Sequence, residues 1–131
     1  MTSKDLYGKV VRWDDVPLEQ VRPGVTRRGY VTDEVMLVMN YIEPGLQLNP
    51  HSHTDFDQLA YLVTGRCNYF IDGVPHEMGP GSMLLVPAGS EHYIEPLGEP
   101  CLNLDIFVPP RQDLMHLADY QRDHKEKESV G

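Results

Sequence analysis

Four side chains in the first half and middle of the chain have the types and spacing to hold a metal ion. His51 and His53 stand two residues apart in a stretch read as extended, so both imidazoles project to one side and can chelate a single ion. Gln58 opens the next apolar run and offers a carbonyl oxygen as a third ligand. His92, in Pro87-Ala88-Gly89-Ser90-Glu91-His92, offers a fourth donor. Three imidazoles and an amide accept Ni, Zn, Fe, Mn, Co or Cu, so the expectation is one divalent transition metal of unspecified identity. With no carboxylate among the ligands the ion keeps its full formal charge, which favours Lewis-acid over redox chemistry. The alternative role for Gln58 is a hydrogen bond beside a three-histidine site.

A second group lies on one strand-like segment, Leu102-Asn103-Leu104-Asp105-Ile106-Phe107-Val108-Pro109-Pro110-Arg111. Asp105 and Phe107 share the face opposite Leu102, Leu104, Ile106 and Val108. The double proline stiffens the stretch that presents Arg111. A carboxylate on such a strand is costly to bury without a partner or a task. An ion pair with Arg111 at a barrel rim is the structural alternative to a catalytic role.

The elements that position these residues are short strands. Lys9 to Trp13 and Gly29 to Thr32 read as strands flanking an irregular proline-containing stretch, and Val35 to Ile42 as a buried strand ended by Glu43-Pro44-Gly45. Gln58 to Val63, Cys67 to Ile71, Met83 to Pro87 and Cys101 to Val108 follow, with Asp72-Gly73 as a hairpin turn. Eleven glycines and eleven prolines suit the punctuation of such an array. Asp113 to Tyr120 has a short helical pattern. The expectation is an all-β, antiparallel, single domain over residues 1–120, with 121–131 a flexible charged tail.

The formal charge of −9, from 20 acidic and 11 basic side chains, argues against nucleic acid and anionic membrane as partners. An anionic small molecule stays open, because a metal and an arginine dominate the field inside a pocket. No secretory pattern or membrane-length apolar run is present, so a cytoplasmic location is expected. Cys67 and Cys101, each in an apolar run, read as buried free thiols. Apolar first strands would serve a homodimer.

The histidines also carry a resemblance. Gly45, His51, His53, Gln58 and Gly65, then Gly81, Pro87, Gly89 and His92, match the two signature motifs of the cupin superfamily in spacing, over motif segments 45–65 and 81–96. Gln58 replaces the usual Glu, and Pro96 the usual terminal Asn. The resemblance implies a cupin double-stranded β-helix, or jelly roll. With Asp-x-Phe-x-Pro-Pro-Arg it is similar to the small KdgF-like cupins that linearise unsaturated uronates. Carried over, that likeness implies metal ligands at His51, His53, Gln58 and His92, and Asp105, Phe107 and Arg111 in the substrate pocket. An Fe(II) dioxygenase of the quercetinase or diketone-cleaving type, and a metal-dependent lyase, are the alternatives on the same barrel.

Overall fold

Alternation of side chains along short strands gives each strand one face to bury. In the computed structural model, which describes residues 3–52 and 56–122, this produces two antiparallel sheets packed face to face. The strands are β1 (Glu19–Arg22), β2 (Val25–Val31), β3 (Met36–Ile42), β4 (Gln58–Thr64), β5 (Cys67–Ile71), β6 (Val74–Met78), β7 (Met83–Val86), β8 (His92–Pro96) and β9 (Cys101–Phe107). One sheet runs β1-β2-β3-β9-β4-β7 and the other β6-β5-β8. The long jump that places β9 between β3 and β4 is a jelly-roll crossover, and the all-β expectation holds.

Two apolar clusters fill the interior. Ala60, Leu62, Cys67, Tyr69, Met78, Val86 and Cys101 join the sheets at one end. Val31, Met36, Val38, Phe107, Leu114, Leu117 and Ala118 form the other, under the C-terminal 3-10 helix Gln112–Ala118. The inward face of β9 reads Cys101, Asn103, Asp105, Phe107, so its first residue belongs to one cluster and its last to the other. The two polar residues therefore stand at the waist between the clusters.

The turns follow their chemistry. Asp72 and Gly73 both take positive φ, +48° and +78°, closing the β5-β6 hairpin as a two-residue turn. Asp72 also accepts the Glu91 amide through its carboxylate, at 2.9 Å, and so anchors the residue immediately before His92. Gly65 is required by space: an added Cβ would lie 2.5 Å from the Pro100 carbonyl and 2.8 Å from the Cys101 sulfur.

The N-terminal expectation needs correction. Residues 9–12 form no strand, and Val10 is 92% exposed, because no sheet edge meets them. The stretch expected to be irregular instead holds the β1-β2 hairpin, whose Arg22 and Val25 pair around Pro23-Gly24. Proline with φ preset, followed by a glycine at φ +83°, is turn chemistry, and it splits two strands rather than excluding them. The expected tail also starts too early: Gln121 is buried and exchanges two side-chain hydrogen bonds with the Val31 backbone, at 3.0 and 2.9 Å. Residues 123–131 lie outside the described residues. No helix of the described residues is long and apolar enough to cross a membrane.

Candidate metal centre and substrate cavity

His92 is the first residue of β8 and is 1% exposed; His51 pairs with it in an isolated antiparallel bridge outside the regular strands. Their backbones exchange both hydrogen bonds, at 3.1 and 2.8 Å, and the ring centroids lie 4.3 Å apart at 65°. Each ring is oriented in the same way. His51 Nδ1 is 3.1 Å from the Asn49 carbonyl and His92 Nδ1 is 3.2 Å from the Ser90 carbonyl, each two residues upstream. A carbonyl only accepts, so both Nδ1 atoms carry a proton, and in a neutral imidazole that leaves the lone pair on Nε2. That is the tautomer a metal takes, with the second ring nitrogen anchored. Burial, with His51 beside it, pushes His92 below the ordinary imidazole range, keeping it neutral.

Gln58 begins β4 and is 3% exposed. Its Nε2 donates to the Tyr69 hydroxyl at 3.4 Å, and its amide lies near enough to the Asp105 carboxylate to pull that group's pKa down. Its Oε1 is buried with no hydrogen-bond partner among the described residues. Leaving such an oxygen unsatisfied costs about 1–3 kcal/mol. An orphaned amide oxygen beside two imidazoles in the ligating tautomer fits a hard-to-borderline cation, so the donor set present is compatible with the expected metal. His53 lies outside the described residues. Among the described residues, no group of three His, Cys, Asp or Glu is assembled.

Asp105 faces the same interior. Asn40 Nδ2 donates to its Oδ2 at 2.9 Å and Asn103 Nδ2 to its Oδ1 at 2.7 Å. Burial pushes the carboxyl up to about 6, against the opposing pull of the Gln58, Asn103 and Asn40 amides and of Arg111. Asp105 is the single carboxylate among the described residues lining a cavity of about 160 Å³, which also takes in His51, Gln58, Tyr69 and Tyr93. Three arginines, Arg22, Arg27 and Arg111, line that cavity as well. In a chain of net charge −9 this is a local reversal of sign.

The arginines differ in their partners. Arg27 donates through Nε and Nη2 to Glu19 Oε1, at 3.0 and 2.6 Å. Arg111 grips Asp113 with Nε and Nη2, at 3.1 and 2.5 Å, and lies over the rings of Phe56 and Phe107, 5.5 and 5.1 Å from their centroids. Arg22 donates to the Gln47 carbonyl at 3.1 Å.

A family model described as the cupin domain matches residues 38–107, which run from β3 through β9 and contain every ligand candidate. This chain is a cupin. The pectin degradation protein KdgF of Dickeya dadantii is 27% identical over 103 residues, covering 78% of this cupin and 94% of that protein. Protein SchB of Streptomyces halstedii is 25% identical over 123 residues, covering 88% and 89% respectively. The solved structure of KdgF from a Halomonas species superposes with a TM-score of 0.74 at 27% identity, covering 82% of this cupin and 98% of that chain. The chain is therefore a small, KdgF-like cupin.

His51, Gln58, Asp105, Phe107 and Arg111 all line the cavity, and His92 adjoins it through its contact with His51. Phe107 also has a structural task, being 1% exposed in the apolar cluster beneath Arg111. The ion pair considered for Arg111 at the sequence level is formed with Asp113. Sequence reasoning missed Arg22, Arg27, Asn40 and Asn103. Asn40 and Asn103 were visible as amides interrupting apolar strands, and they are direct partners across β3 and β9. Tyr69 is buried, whereas Tyr41 and Met83, also on strands, are 37% and 67% exposed. Their strands are buried on one face only, and these two point outward.

Proposed function

We propose that this cupin is a metal-dependent enzyme that opens the ring of a 4,5-unsaturated uronate. The observation that carries the reading is the composition of the cavity: one carboxylate and three arginines in a lining that also holds His51 and Gln58. Its similarity to two KdgF proteins, one named for pectin degradation, supports the choice of substrate class.

A metal held by His51, His53, Gln58 and His92 would supply Lewis acidity toward substrate oxygens. The reaction itself needs proton movement. The hemiacetal hydroxyl at C1 loses its proton as the C1–O5 bond breaks, and C4 gains one as the enol becomes a ketone at C5; the two protons balance and no electron acceptor is required. Asp105, held between Asn40 and Asn103, would carry that proton on its carboxylate oxygens. Arg22, whose described partner is a neutral carbonyl, joins Arg111 in attracting the substrate carboxylate. The rings of Tyr93 and Phe107 offer apolar wall to the sugar face.

The test is to incubate the metal-loaded protein with unsaturated galacturonate and follow the ring form by NMR. Opening well above the uncatalysed rate, with no oxygen consumed at an electrode, is the expected result. A rate equal to buffer sinks the reading, and oxygen uptake transfers support to the dioxygenase alternative.

A further inference from the structure

We propose that Asp105 sets the orientation of Gln58, holding the amide so that its carbonyl oxygen faces the metal position, and that the negative charge normally carried by a glutamate ligand stands instead on β9. This rests on the reading of Gln58 as a ligand and deepens it.

The two residues are diagonal neighbours. Asp105 is opposite Ala60 across β9 and β4, and Gln58 is two residues from Ala60 on the same inward face. A carboxamide is nearly symmetric in shape but not in chemistry: one edge donates and the other accepts. An ionised carboxylate only accepts, so the edge of Gln58 turned toward Asp105 must be the NH2. The Tyr69 hydroxyl, 3.4 Å from Nε2, engages the same edge. Oε1 is thereby left buried, without a hydrogen-bond partner among the described residues.

Asp105 cannot turn away to release Gln58. Asn40 holds Oδ2 at 2.9 Å and Asn103 holds Oδ1 at 2.7 Å, and both come from the two central strands of the larger sheet. The Asn40 amide is itself fixed by the Val38 and Asn103 carbonyls, at 3.2 and 3.3 Å. The neighbours of the carboxylate are three carboxamides, each able to donate to it. A glutamate at position 58 would set two carboxylates side by side in this interior, so the amide at 58 and the acid at 105 form one unit. An N–H donated from Gln58 to the carboxylate would also shift electron density toward Oε1 and make it a better donor than an isolated amide.

The probe is Co(II), whose binding is followed by chelator competition and by its visible ligand-field spectrum. Against wild type, Asp105→Asn is expected to weaken Co(II) binding about 10–100-fold and to change the spectrum. The double variant Gln58→Glu/Asp105→Asn should recover most of that loss, since the carboxylate is then at position 58 and the amide now at position 105 can donate to it. A merely structural Asp105 would leave the double variant no better than the single one. Thermal melts of the metal-free variants check folding. Should Asp105→Asn fail to fold, Asn40→Ala, which loosens Asp105 without removing it, carries the same expectation at smaller size. An Asp105→Asn protein with wild-type affinity and spectrum, or a double variant with no recovery, overturns the proposal while the metal reading stands. Wild-type protein that binds no Co(II), or binds it no better than His92→Ala does, overturns the metal reading and this inference with it.

Discussion

His51 and His92 are joined twice over: by a pair of backbone hydrogen bonds across an isolated bridge, and by edge-to-face contact of their rings, 4.3 Å apart. Since β8 belongs to the smaller sheet and the loop carrying His51 leads into the larger one, an ion bound by both rings would tie the two sheets together. Saturating metal should therefore stabilise the fold by about 3 kcal/mol when its concentration is a hundred times its dissociation constant. For a domain of this size that is roughly a 10 °C rise in Tm by scanning fluorimetry. Removal with a chelator should reverse it, and His92→Ala should abolish it; an unchanged Tm on metal addition would count against the centre.

Phe107 separates stability from catalysis. Phe107→Ala should cost about 3–5 kcal/mol, because a side chain 1% exposed in the cluster with Met36, Val38 and Leu117 leaves a cavity. Phe107→Leu should cost under about 2 kcal/mol and retain most turnover. Urea unfolding beside a progress curve checks both. A fully stable, inactive Phe107→Ala would instead assign the ring to substrate alone.

Gly65→Ala is expected to be among the most disruptive single changes outside the site. The backbone there has φ +93°, and the new Cβ would meet the Pro100 carbonyl and the Cys101 sulfur inside 3 Å. Left-handed strain and overpacking together suggest about 2–5 kcal/mol. A urea midpoint within error of wild type would show that the β4-β5 turn relaxes.

The acid limb of stability should depend on Glu19. Burial raises its pKa, but the hydrogen bonds from Arg27 and His116 outweigh that and hold it below the usual 4.5. A carboxyl depressed in the folded state contributes stability that is complete above the unfolded value and lost as pH falls through the lower folded one. The pair is partly exposed, so the contribution is under about 1 kcal/mol. Glu19→Gln should flatten the urea midpoint against pH below about pH 4.5 and lower it slightly above; an unaltered acid limb refutes the assignment.

Both thiols should be silent in the native protein. Cys67 and Cys101 are fully buried, and burial, followed by its neighbour Cys101, pushes Cys67 up to about 12. Titration with an aromatic disulfide reagent should label neither residue until denaturant is added. Rapid native labelling would mean that the end of the interior occupied by Ala60 and Leu62 opens readily.

The sequence made most of the apolar strands legible because their period is two and their turns are marked by glycine, whereas β8, which opens with His92, was not read as a strand. Val35 to Ile42, Gln58 to Val63, Cys67 to Ile71 and Cys101 to Val108 all correspond to strands within a residue or so at each end. The β1-β2 hairpin was hidden for an equally physical reason. Glu19, Gln20 and Arg22 carry little apolar patterning, since an edge strand is held mainly by its ladder. The metal candidates were visible through fixed spacing along the chain. The polar neighbours were harder to see: Asn40 meets Asp105 only through the β3-β9 register, and Tyr69 meets Gln58 only where the two sheets face each other.

That same topology divides the cavity into two unequal halves. Asn103 and Asp105 ride on the central strand β9, where any shift would propagate to neighbours on both sides, and Gln58 on β4 beside it. Arg22 and Arg27 stand on β1 and β2, at the margin of the sheet. A lineage can thus rewrite its ligand preference at the margin while inheriting the reactive half intact. Randomising positions 20–27 should accordingly yield many folded proteins with new substrate ranges, and randomising 103–107 almost none.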